Sequence, residues 1–139
     1  MPLTAMRDQS VSCVLDRELT EVRHAREETR KALFGWGLGE YTDVAELIVS
    51  EYVTNALAHG EGPIRVRVSC GGVYLRLEVH DDGAGRPVRR QASATAVSGR
   101  GLEVVDGLLT PLGGWRTLCD DDAGAGKTVG AVIGLAGAR

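Results

Sequence analysis

No apolar run in this chain approaches the roughly 18 residues that a membrane-spanning helix needs. The opening stretch, MPLTAMRDQS, is too polar for a secretion signal, so a cytoplasmic protein is expected. There is no block of like charge, and the net charge is −3, which leaves out the electrostatic footprint of a nucleic-acid binder. Cysteine is scarce and odd in number. Cys13, Cys70 and Cys119 stand far apart in apolar or strand-like segments, as reduced core thiols would, and they suggest neither a disulfide framework nor a zinc site. Glycine is abundant: 19 residues, crowded into the second half, imply tight turns or backbone passing close to a ligand. A length of 139 residues, with 43% hydrophobic and 25% charged content, suits one soluble domain. Its core is expected over about 11–135, with a loose end at 1–10.

The chain is organised around Ala45–Gly60, AELIVSEYVTNALAHG. Val44, Ile48, Val49, Tyr52, Val53, Ala56 and Leu57 recur at helical steps and mark a core-facing stripe. Thr42 or Asp43 is placed to cap the start, with Glu46 three residues after Asp43 as in a capping box. Glu51, Asn55 and His59 follow one another four apart and so share a face. A carboxylate takes a proton, an amide oxygen holds a hard cation and an imidazole orients a neighbour. The same letters also suit a solvated helix face.

Before this helix, Val11–Leu15 is a strand and Leu19–Trp36 a helix whose inner beat is Leu19, Val22, Ala25, Ala32 and Leu33. After it the period becomes two. Ile64–Val68 and Val73–Val79 alternate around Gly71-Gly72 as a hairpin, with Arg65, Arg67 and Arg76 outward. Asp81-Asp82-Gly83-Ala84-Gly85 ends the second strand, and Arg86–Ser98 reads as a loop without period. Gly99-Arg100-Gly101 then opens a helix over Leu102–Leu109. Strands at Gly113–Leu118 and Thr128–Leu135 flank a loop, Asp120–Lys127. This order predicts an α+β two-layer sandwich, a mostly antiparallel sheet with helices on one face.

Asp81 is suited to accept a hydrogen bond from an exocyclic amino group, while Gly83 and Gly85 let the backbone approach a planar ligand. An acid followed by two glycines is also a plain turn. Amides at Gly99–Gly101, ahead of a helix, suit phosphate oxygens, and Arg100 adds a forked charge. Asp121–Thr128, DDAGAGKT, nearly matches a P-loop, but Asp121 stands where the first glycine belongs. A β-like segment also follows where that loop must open a helix, so a P-loop NTPase is rejected.

The series E-x-x-x-N-A-x-x-H, D-x-G-x-G-x-P, G-R-G-L and G-K-T-V, in that order over about 15–135, closely resembles the GHKL (Bergerat-fold) ATP-binding domains. Within them it is most similar to the anti-sigma-factor serine/threonine kinases. That resemblance implies ATP and Mg²⁺ as cofactors. It implies Asn55 as the metal ligand, Glu51 as general base and His59 as a pocket support. It also implies Asp81 as the reader of the adenine amino group, with Gly83 and Gly85 shaping the pocket. Arg86–Ser98 would be the ATP lid. Gly99, Arg100, Gly101 and Leu102 would form the phosphate-side turn and Thr128 would lie near the adenine, while Lys127 has no assigned role. The implied partners are a sigma factor and a STAS-domain anti-anti-sigma factor, and a homodimer through Val11–Leu15 is a further expectation. A non-catalytic ATP-gated interaction module is the alternative. A histidine-kinase catalytic half is disfavoured, because no dimerising helical hairpin with an acceptor histidine precedes the motifs.

Overall fold

A computed structural model describes residues 6–83, 96–120 and 126–135. The elements run β1 (Met6–Leu15), α1 (Glu21–Gly35), α2 (Thr42–His59), β2 (Ile64–Gly72), β3 (Tyr74–Asp81), α3 (Ala96–Leu109), β4 (Trp115–Asp120) and β5 (Lys127–Gly134). The five strands form one antiparallel sheet in the order β1-β2-β3-β5-β4. The helices pack on one face, giving the expected two-layer α+β sandwich. Among the described residues no helix is long and apolar enough to cross a membrane.

The period-two segments bury what they should. Ile64, Val66 and Val68 of β2 and Leu75, Leu77 and Val79 of β3 lie under the helices, while Arg65, Arg67 and Arg76 face outward. Gly72, at φ +60, makes the turn between them. From α2, Ile48, Val49, Tyr52 and Val53 are all but fully buried, each stabilising the fold by about 1.5–3 kcal/mol relative to exposure. Val44 and Leu57 pack at the margin of this core. The Tyr52 hydroxyl donates to the Gly130 carbonyl at 2.8 Å, tying α2 to β5.

Several local expectations change. β1 starts at Met6, because β2 runs on far enough for Gln9 and Ser10 to pair with Cys70 and Ser69. Leu19 precedes α1 and is exposed; Thr29, bonded to the Ala25 carbonyl, fills the buried position that the beat skipped. The capping box does not form. Tyr41 is the N-cap of α2, and the Thr42 hydroxyl turns back to the Gly39 carbonyl. Cys13 is half-buried, Cys70 buried and Cys119 exposed; all three are free thiols, so Cys119 is not a core residue. Burial pushes the Cys13 and Cys70 thiols up, which leaves them weakly nucleophilic.

Candidate nucleotide site

The two glutamates of α2 are treated differently. Glu46 points back at α1, where the Arg30 guanidinium grips it at 2.8 and 3.1 Å and Arg26 adds a longer contact of 3.6 Å. Glu46 is buried, so its charge is used up inside the two-helix layer. Glu51 and Asn55 are half-buried, one turn apart. Among the described residues neither side chain is engaged in a hydrogen bond or an ion pair. His59, the last residue of α2, is exposed.

At the end of β3 the Asp81 side chain turns inward and is buried. Its Oδ1 accepts the Gly83 amide at 2.7 Å, the Glu61 amide at 3.4 Å and the Lys127 ammonium at 3.1 Å. The first bond is the short Asx link that lets an aspartate fold the chain just after itself. Oδ2 makes none of these bonds. Two glycines crowd the carboxylate. A β-carbon on Gly60 would stand 2.5 Å from Asp81 Cγ, and one on Gly83 would stand 2.9 Å from Oδ1. The Asp82 amide donates to the Glu61 carbonyl at 2.8 Å, lacing the segment after α2 to the end of β3.

Arg17 secures that junction from the other side. Its guanidinium donates to the carbonyls of Ala56, Leu57, Gly60 and Gly62 at 2.8–3.1 Å. Ala56 and Leu57 belong to the last turn of α2, at the negative end of its dipole, and Gly60 and Gly62 follow it, so one cation spans the helix end and the turn beyond. No periodicity marks this residue, which stands in the turn ahead of α1. The sequence likewise assigns no role to Gly60 or to Lys127. The one available signal was Lys127 itself, a charged residue entering an apolar strand.

The structure brings Asp81, Gly83 and the C-terminal end of the Glu51–Asn55 helix together. Thr128 goes elsewhere. Asp81 pairs with Lys127 and His80 with Thr128, so alternation puts Thr128 on the outer face of the sheet. There its hydroxyl meets His80 Nδ1 at 3.0 Å, and His80 Nε2 lies 3.5 Å from Asp82. Gly85 and the expected lid over 86–95 lie outside the described residues. The helix expected from Leu102 starts at Ala96, so Gly99, Arg100 and Gly101 are its fourth to sixth residues and do not precede it. Leu102 follows them in the same helix, and the side chains of residues 96–102 lie outside the described set. In a helix the amides from about the fourth position onward bond to carbonyls of the preceding turn. The unbonded amides of this arrangement therefore belong to its first turn.

Comparison with known proteins finds a similar fold and a matching family. A histidine kinase domain from the Erythrobacter litoralis EL346 blue-light activated histidine kinase is similar, with 29% identity and a TM-score of 0.53. The similarity covers 70% of this chain and 46% of that one, so the chain spans less than half the length of the domain it matches. No curated protein matches. Residues 15–118 match the family described as the histidine kinase-like ATPase domain, HATPase_c_2, which is three-quarters of the sequence and takes in α2 and the end of β3. The chain belongs to the histidine kinase-like ATPase domain family.

Proposed function

We propose that this protein is an ATP-binding regulatory protein of the anti-sigma-factor type. In this reading it phosphorylates a serine or threonine of a STAS-domain antagonist and sequesters a sigma factor in the cytoplasm. The observation that carries it is the division of labour on α2: Glu46 is locked by Arg30, while Glu51 and Asn55 stay open one turn apart.

The residues present fit the implied groups. Asp81 Oδ2, beside the cradle that β-carbons on Gly60 and Gly83 would fill, suits the amino group of an adenine. Asn55 would hold Mg²⁺ through its amide oxygen. The described residues contain no group of three His, Cys, Asp or Glu fit to hold a metal. A single protein ligand suits Mg²⁺, which takes its remaining positions from phosphates and water. Bound Mg·ATP would supply the transferable phosphoryl group with its charge partly neutralised. Glu51 would accept the proton of the partner's hydroxyl as it attacks, and its open carboxylate is suited to that role. β1 presents an unpaired edge among the described residues, with Val14 exposed, and we assign the homodimer contact to it. Light scattering that finds a monomer at high concentration would remove that assignment.

The test is incubation with labelled ATP, Mg²⁺ and candidate STAS domains, with pull-downs identifying the partners. The wild type should label the partner. Glu51→Gln should abolish labelling while leaving Mg·ADP affinity within about threefold, since it removes a group needed only in the transition state. Asn55→Ala should weaken Mg·ATP binding itself, measured by calorimetry. Unlabelled partners in the presence of a bound nucleotide would leave the ATP-gated interaction module as the function.

A further inference from the structure

Lys127 is an odd occupant of its position. It is only 4% exposed, and lysine is almost never buried so deeply without a reason. Strand pairing sets it directly opposite Asp81, so its place is fixed by the register of β3 against β5. An ammonium carries three N–H donors. One reaches Asp81 Oδ1 at 3.1 Å, and among the described residues the other two find no acceptor. Leaving buried donors without acceptors is costly, so a partner is called for.

We propose that Lys127 is a second reader of the nucleotide base. Its ammonium donates to ring nitrogen N1 of adenine, while Asp81 Oδ2 accepts from the neighbouring exocyclic amino group. The inference rests on the nucleotide reading above and deepens it. Asp81 Oδ1 is saturated by Gly83, Glu61 and Lys127, so the site offers one acceptor with one charged donor beside it. Adenine presents the complement, an amino donor next to an acceptor nitrogen. In the rival account Lys127 merely neutralises Asp81 and touches no ligand. That account gives no dependence on N1.

The experiment is calorimetry of the full chain with Mg²⁺ and ADP, 1-deaza-ADP or 7-deaza-ADP. The wild type should bind 1-deaza-ADP at least about tenfold more weakly than ADP, and 7-deaza-ADP within about twofold of ADP. Lys127→Met should bind ADP and 1-deaza-ADP equally. If that variant does not fold, Lys127→Thr, which also removes the ammonium, takes its place, and the same equality is expected. Equal wild-type affinity for ADP and 1-deaza-ADP would overturn the proposal, as would a substituted protein that keeps the preference. A wild type that binds no ADP at millimolar concentration would overturn the nucleotide reading itself, and this inference with it.

Discussion

Glu46 and Glu51 show how little residue type says without surroundings. Both are glutamates of α2, yet one is buried against arginines and the other is half-buried with no side-chain partner among the described residues. Their substitutions should separate accordingly. Glu46→Gln should lower the thermal midpoint, because Arg30 loses its bidentate partner, and leave ADP affinity unchanged. Glu51→Gln should do the reverse: unchanged melting, no phosphotransfer. Tyr52 offers a pH test. Burial pushes its phenol up, well beyond the usual value of about 10. The neutral form is thus favoured in the folded state. The stability linked to it is whole below about pH 10 and is lost as pH rises from there toward the folded value. Urea unfolding of the wild type should weaken more steeply between about pH 9 and 11 than that of Tyr52→Phe. The phenylalanine variant should also be less stable by about 1 kcal/mol at neutral pH, since the Gly130 carbonyl loses its donor.

At the scale of elements, the clamp of Arg17 on the end of α2 ties together segments about 40 residues apart in sequence. Arg17→Ala should cost about 1–2 kcal/mol in denaturant unfolding. Amides near 56–60 should then exchange hydrogen faster, and those of α1 should not. The sequence announced elements well and their joints badly, for physical reasons. β2, β3 and the buried stripe of α2 were legible because one-sided burial imposes a period. The start of α3 was not, because Ala96, Val97 and Ser98 carry no period and Gly99 and Gly101 are poor helix formers. Asp81 and Gly83 were legible as a motif. Thr128 was named as a ligand neighbour, but the choice between it and Lys127 depends on a one-residue register, which decides the face of every side chain in β5. Arg17 makes its contacts across the fold and left no local trace.

For the whole molecule, the Asp81–Lys127 pair joins the middle of the sheet at the site. Both side chains are about 5% exposed, and such a pair is costly to break from one side. Lys127→Met should therefore destabilise the protein by about 3–5 kcal/mol, whereas Asp81→Asn with Lys127→Met should recover part of that loss in the same denaturant titration. The strand order has a consequence for assembly. β4 comes before β5 in the chain but meets the rest of the sheet only through it, and the Tyr74 and Trp115 rings meet edge-on across β5. A nascent polypeptide therefore makes β4 before the strand it pairs with exists. Asp81 also has no ammonium opposite it until β5 pairs with β3. A chain released by a ribosome that stalls after β4 therefore lacks both the strand that β4 pairs with and the buried Asp81–Lys127 contact.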